Sequence, residues 1–155
     1  MLTYCPLNEE YADRLLPIWA DEDVIKYTNI QSPCTLEGIR SRINRLKFFD
    51  VFVVIEDESV IGVIGCPCID KEKSQYGIFY QFCKAAWGKG IATAAAEWLL
   101  HYMGEKYPNV TLFANVVVDN VASERILNRL GFQQVSEGMF ERNGREMKVH
   151  SYLRH

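Results

Sequence analysis

Trp87-Gly88-Lys89-Gly90-Ile91-Ala92 lies between a strand-like run, Tyr76 to Cys83 (YGIFYQFC), and a helical run to about Met103 with Gly104 as its expected stop. The helix carries Ile91, Ala95, Trp98, Leu99 and Tyr102 at helical spacing. Two glycines two apart at a strand-to-helix turn let the backbone bend tightly and leave its N–H groups open. The first turn of any helix adds unpaired donors and the positive end of the dipole. Together they suit phosphate oxygens, and Lys89 supplies a formal charge. Each dipole contribution is only about 0.3–1 kcal/mol, so several must converge on one ligand, as a diphosphate permits. The fragment fits equally an ordinary glycine turn ahead of a core helix. It is not a Walker loop, and the third glycine of a dinucleotide fingerprint is replaced by Thr93.

Downstream, Val110 to Val118 reads as a strand. Asn120 opens a helix through Leu130, with Ile126, Leu127 and Leu130 inward and Gly131 as its stop. The tail is a hairpin turning at Asn143-Gly144, a type I′ signal, and its last strand alternates Met147, Val149, Ser151, Leu153 against Lys148, His150, Tyr152. Upstream, Leu2 to Pro6 is a short strand, and Asn8 caps a helix to about Ala20 whose apolar side is Tyr11, Leu15, Leu16 and Ile18 or Trp19. Asp21 to Thr28 is a polar stretch, open between loop and one more turn. A second helix, entered after Pro33 with Thr35 and Glu37 at its start, carries Ile39, Ile43 and Leu46. Val51–Ile55 and Val60–Ile64 form an antiparallel hairpin across the polar turn Glu56 to Ser59. The order β-α-α-β-β-β-α-β-α-β-β predicts an α/β domain around one mixed sheet, antiparallel in its first half.

The bulk properties narrow the class. The chain has 155 residues, 48% hydrophobic and 24% charged, the size of one domain over 1–155 with no repeat or linker. A net charge of −3 gives no support for a nucleic-acid partner and suits a cationic acceptor. No run approaches the roughly 20 apolar residues of a membrane span, and the first residues lack a signal-peptide pattern. Five cysteines, an odd number, read as reduced thiols in the cytoplasm. Cys66-Pro67-Cys68 has neither redox nor metal spacing and reads as core or edge cysteines. His101, His150 and His155 make no metal pair or triad, so no metal is expected.

A second segment extends the loop's meaning. Asp119-Asn120-Val121-Ala122-Ser123 precedes Arg125-Ile126-Leu127-Asn128-Arg129-Leu130-Gly131-Phe132. The pair WGKGIAT and DNVASERILNRLGF resembles the GNAT superfamily of N-acetyltransferases, whose acetyl-CoA loop has the form [QR]-x-x-G-x-[GA] and whose next helix reads N-x-x-[AS] with G-F about a dozen residues on. Trp87 ahead of G-K-G, with N-x-x-S, resembles the ribosomal-protein N-terminal (Rim-type) branch. The resemblance implies the GNAT-like α/β fold and acetyl-CoA as cosubstrate. It implies that N–H groups of Gly88, Lys89, Gly90, Ile91, Ala92 and Thr93, in the loop opened by Trp87, hold the pyrophosphate. Phe82 and Cys83 would pair with the pantetheine arm through backbone bonds, with backbone N–H polarising the thioester carbonyl. Asn120 and Ser123 would meet pantetheine and sulfur, and Arg129 the adenosine end.

GNAT chemistry is attack of a neutral amine on the thioester, needing a proton acceptor for the ammonium and a donor for the leaving thiolate. Many members place a tyrosine seven residues after the asparagine; here that position is Leu127. Ser123 is the replacement donor, or else a first-turn serine bonding backbone. The strand position that often carries an acidic base reads Gly77-Ile78-Phe79. Glu137 and Glu141 are candidate bases, or else solvated charges, with Tyr80 or Asn115 as orienters; Ser123 and Glu141 are the expected catalytic pair. The acceptor amine, a peptide N-terminus or small molecule, would be gripped by Tyr27 to Cys34 and the hairpin around Asn143. The protein is expected as monomer or homodimer. An alternative is a GNAT-like module that keeps CoA without catalysis, and a third an unrelated domain binding another nucleotide.

Overall fold

The computed structural model describes residues 1–30 and 34–155. Its strands are β1 (Leu2–Pro6), β2 (Asp50–Glu56), β3 (Ser59–Cys66), β4 (Cys68–Asp70), β5 (Gln75–Gly77), β6 (Phe79–Phe82), β7 (Thr111–Val117), β8 (Gln133–Arg142) and β9 (Arg145–Arg154). Its helices are α1 (Ala12–Trp19), α2 (Glu22–Ile25), α3 (Leu36–Leu46), α4 (Ile91–Lys106) and α5 (Val121–Arg129). The α/β class and the expected order hold, with three refinements. Asn8 caps a short 3-10 turn that runs into α1, its side chain accepting from Glu10 N–H. Asp21 caps the additional turn, α2, by accepting from Asp23 N–H. A small strand, β4, follows Pro67.

The larger difference lies in the sheet. Hydrogen bonding divides it into a four-stranded antiparallel sheet, β1-β2-β3-β6, and a five-stranded mixed one, β4-β5-β7-β9-β8. The division falls inside the run read as one strand. Gln75–Gly77 pairs parallel with β7, and after Ile78 the chain crosses to pair antiparallel with β3. Ile78 N–H still reaches Phe113 O at 2.9 Å. Beyond that bond β6 and β7 are no longer neighbours, and a fork opens between the sheets.

Two apolar cores hold the layers. Leu15, Trp19, Ile39 and Ile43 of α1 and α3 pack on one face of the first sheet with Val53 and Val63. The other face, with the second sheet, is covered by α4 and α5 through Ala95, Leu99, Met103 and Leu127. Trp98 and Tyr102 are half-buried rather than core: Trp98 stacks on Tyr4 at 3.9 Å and meets Phe52 edge-on. Each adds about 0.5–1.5 kcal/mol beyond area burial.

The helix ends follow local chemistry. Thr35 caps α3 by accepting from Gly38 N–H; Pro33, expected just before it, lies outside the described residues. Gly104 does not stop α4, which runs on to Lys106. The stop is Tyr107, extended because Pro108 follows and disfavours helical geometry in the residue before it. After α5, Gly131 N–H bonds Asn128 O and Phe132 N–H bonds Leu127 O, a Schellman end that seats the buried Phe132. Asn143 and Gly144, both at positive φ, turn β8 into β9 as expected. Cys66 is fully buried at the end of β3, and burial with the nearby Asp50 charge pushes its thiol pKa up, a core cysteine rather than a reactive one.

Candidate active site

The fork is built by ladder arithmetic. Cys83 N–H donates to Ile61 O on β3 at 2.8 Å. Alternation along an antiparallel strand then turns the backbone groups of Gln81 and Phe79 toward β3, and those of Phe82 and Tyr80 toward the fork. Trp87, whose ring is half-exposed, sends its indole N–H back to Phe82 O at 2.9 Å. The groups left facing the fork are Phe82 N–H and both backbone groups of Tyr80. Cys83 N–H, expected to meet the pantetheine arm, is instead bonded within the sheet.

The glycine loop sits at the mouth of the fork. Gly88 and Gly90 have φ of +73° and +77°, and a Cβ at either would meet nothing within 4 Å. Glycine is present for the left-handed backbone, and the space above the loop stays open. Gly90 caps α4 with no side-chain bond, and Ala94 N–H is the first to bond back, to Gly90 O. The N–H groups of Ile91, Ala92 and Thr93 are therefore the unpaired donors of the first turn. An anionic diphosphate fits this concavity of open amides, with exposed Lys89 beside it.

A cavity of about 660 Å³ runs through the fork. Tyr80 and Ser123 line it, their hydroxyls 2.7 Å apart. Ser123 reaches this position because Asn120 Oδ1 accepts its N–H and fixes the first turn of α5. Burial pushes the Tyr80 pKa up, and the bond to Ser123 opposes this only in part. Tyr80 is a neutral phenol at physiological pH. Leu127 lines the same cavity and is fully buried. Asn115 is there too, accepting from Ser151 Oγ at 2.7 Å.

Of the two glutamates, Glu137 lines the cavity and Glu141 does not. Glu141, the expected base, is exposed and faces Glu146 across the hairpin. Glu137 pairs with Lys148 at 3.3 Å and His150 Nε2 at 3.5 Å. His150 Nδ1 also bonds Glu124, which in turn accepts from Tyr152, so this histidine is satisfied within the fold. Arg129 is not brought to the loop. It borders a separate groove with Glu97, His101 and Glu105, along the later turns of α4. The nine residues of α5 carry Arg129 away from the fork at 1.5 Å each.

Tyr27, Ile30, Arg42, Leu46 and Phe140 line the side of the cavity expected to receive the acceptor. Arg142, its side chain 9% exposed, joins the hairpin to this side by bonding Glu22 at 2.7 Å and Ile30 O at 2.9 Å. Asn143 itself does not line the cavity. Neither arginine was singled out from sequence. Arg42 had a signal, lying on the apolar stripe Ile39, Ile43, Leu46 of an amphipathic helix. Among the described residues no group of three metal-binding side chains occurs, and no helix is long and apolar enough to cross a membrane.

Comparison with known proteins agrees with this geometry. The family profile described as an acetyltransferase (GNAT) domain matches residues 2–133. The uncharacterised N-acetyltransferase p20 of Bacillus licheniformis is 30% identical over 141 residues, covering 86% of this chain and 79% of that protein. The fold superimposes on ribosomal-protein-S5-alanine acetyltransferase of Vibrio fischeri with a TM-score of 0.85 at 17% identity, over 99% of this chain and 92% of that one. It does so on the microcin C7 self-immunity acetyltransferase MccE, solved with acetyl-CoA and AMP, at 0.84 and 20% identity, over 99% and 91%. The chain belongs to the GNAT acetyltransferase family and is an acetyl-CoA-dependent N-acetyltransferase.

Proposed function

We propose that this chain, as one domain over residues 1–155, acetylates a primary amine, on a peptide N-terminus or a small molecule, by direct attack on the thioester. The observation that carries the reading is the Tyr80–Ser123 hydroxyl pair inside the fork that opens beside the glycine loop. When bound, acetyl-CoA supplies the activated acetyl group. The amides from Gly88 to Thr93 hold its pyrophosphate, and Phe82 N–H and the Tyr80 backbone meet the pantetheine arm and the thioester carbonyl. Asn120 positions Ser123, whose Oγ presents a proton to the leaving sulfur. Tyr80 Oη restores that proton, taking the part of the phenol that Leu127 lacks. Glu137, at the cavity wall, accepts the ammonium proton directly or through water.

Thermal unfolding with acetyl-CoA, with ATP and NAD as controls, tests the donor site. At a hundredfold excess over Kd the stabilisation is about 2.7 kcal/mol, a shift of several degrees at this size. A shift with acetyl-CoA alone is expected; a shift with ATP or NAD alone would sink the reading. Acetyl-CoA binding without thiol release on any amine of a broad panel would leave a CoA-binding module instead.

A further inference from the structure

Arg42 lines the cavity and has no counter-ion among the described residues. It comes from α3 beside the buried Ile43, and its guanidinium lies 5.7 Å from the Trp19 ring centroid. Trp19 in turn donates its indole N–H to Gln81 Oε1 on β6 at 3.1 Å, so the cation rests on the strand that carries Tyr80. Among the described residues it has neither a hydrogen bond nor an ion pair. The charged and titratable groups that bear on it are Arg45, a second cation, and the Cys34 thiol. Other cations around the site differ. Lys84 pairs with Asp21 and Asp23, Arg142 with Glu22, and Lys148 with Glu137.

A guanidinium does not shed its proton at any physiological pH, and it offers five donors in a planar fork. Partly withdrawn from water without an acceptor, it forfeits solvation that an incoming oxyanion restores. The apolar side chains that line the same cavity, Ile30, Leu46, Phe79 and Phe140, suit a hydrocarbon body. Arg142 bridges the hairpin to the Ile30 loop across the same side, which favours a compact acceptor over a polypeptide.

We propose that Arg42 binds a carboxylate or phosphate on the acceptor, so that the substrate is a small amine carrying an oxyanion at its other end. This rests on the acetyl-transfer reading above. The test uses matched pairs differing only in the anion: L-leucine and L-leucinamide, 5-aminopentanoate and its primary amide, O-phosphoethanolamine and ethanolamine. CoA release should be faster, by about 10- to 100-fold in kcat/KM, for the anionic member of at least one pair. Which pair responds tells carboxylate from phosphate. Arg42→Gln should erase the ratio by slowing the anionic member while keeping the acetyl-CoA thermal shift, and Arg42→Lys should restore part of it. Equal rates within every pair, or loss on both members in Arg42→Gln, would overturn the proposal. Titration of N-acetyl-L-leucine, N-acetyl-5-aminopentanoate and O-phosphoethanolamine into the CoA-loaded protein separates the two readings. If no amine turns over yet one of these binds in an Arg42-dependent way, the anion site stands and acetyl transfer fails. If none binds the wild type, the anion site is overturned.

Discussion

At the scale of single residues, the proposed chemistry turns on two hydroxyls brought together from positions 43 apart in the chain. Ser123 could have been a helix-turn serine that only bonds backbone. Its Oγ instead meets a half-buried phenol. Ser123→Ala should lower kcat by about 100-fold or more while leaving acetyl-CoA affinity nearly unchanged, read by steady-state thiol release and by titration. Tyr80→Phe should lower kcat too. Its pH profile adds a sharper check. Burial raises the Tyr80 pKa above its ordinary value of about 10, so the phenol keeps its proton as pH rises through neutrality and loses it only beyond that value. The wild type should therefore hold its rate through mildly alkaline pH, and Tyr80→Phe should lack any alkaline fall that comes from the phenol. A Tyr80→Phe enzyme with the wild-type rate would remove Tyr80 from the proton path.

At the scale of elements, the loop and helix proposed to hold the donor depend on left-handed backbone at two glycines. Gly90→Ala places a methyl where nothing obstructs it, so its cost is conformational, about 1–2 kcal/mol. That corresponds to a Tm lower by roughly 2–8 °C at this size, measurable without ligand. The same methyl projects over the open amides, and acetyl-CoA binding should weaken. Lys89→Glu should weaken binding as well, with little change in Tm, because its side chain is exposed. Unchanged affinity in both variants would mean that the pyrophosphate lies elsewhere. The fork has an equally local origin. Ile78 gives its N–H to β7 while its successors pair with β3, so one short run belongs to two sheets.

At the scale of the whole molecule, the layers are pinned by a buried carboxylate. Asp50, first residue of β2, accepts from Lys106 at 2.7 Å, Tyr102 at 3.2 Å and Tyr107 at 2.5 Å, tying the end of α4 to the first sheet. Asp50→Asn should cost about 2 kcal/mol, the scale of a charge-assisted bond discounted because Lys106 is half-exposed. Burial together with Asp50 raises the Tyr107 pKa, and the bond to Asp50 raises that of Lys106. Both groups hold protons in the fold that the unfolded chain releases near pH 10, so stability should fall as pH rises past that point. Asp50→Asn should flatten this alkaline loss in thermal scans, and an unaltered slope would refute the assignment. Helices α1, α3, α4 and α5, the caps at Thr35 and Asn120, the two hairpins and the glycine loop were readable from sequence, because each is set by contacts within a few residues. WGKGIAT and DNVASERILNRLGF carried the family for the same reason, a local backbone shape demanding local residue types. The division of the sheet after Ile78, the turning of Cys83 N–H into the ladder, and the separation of Glu137 from Glu141 at the cavity edge were not readable. They depend on which distant strand takes each backbone group. The meeting of Tyr80 with Ser123 and the placing of Arg42 without an ionic partner among the described residues were decided at the same level, since a side chain's surroundings exist only once the layers have packed.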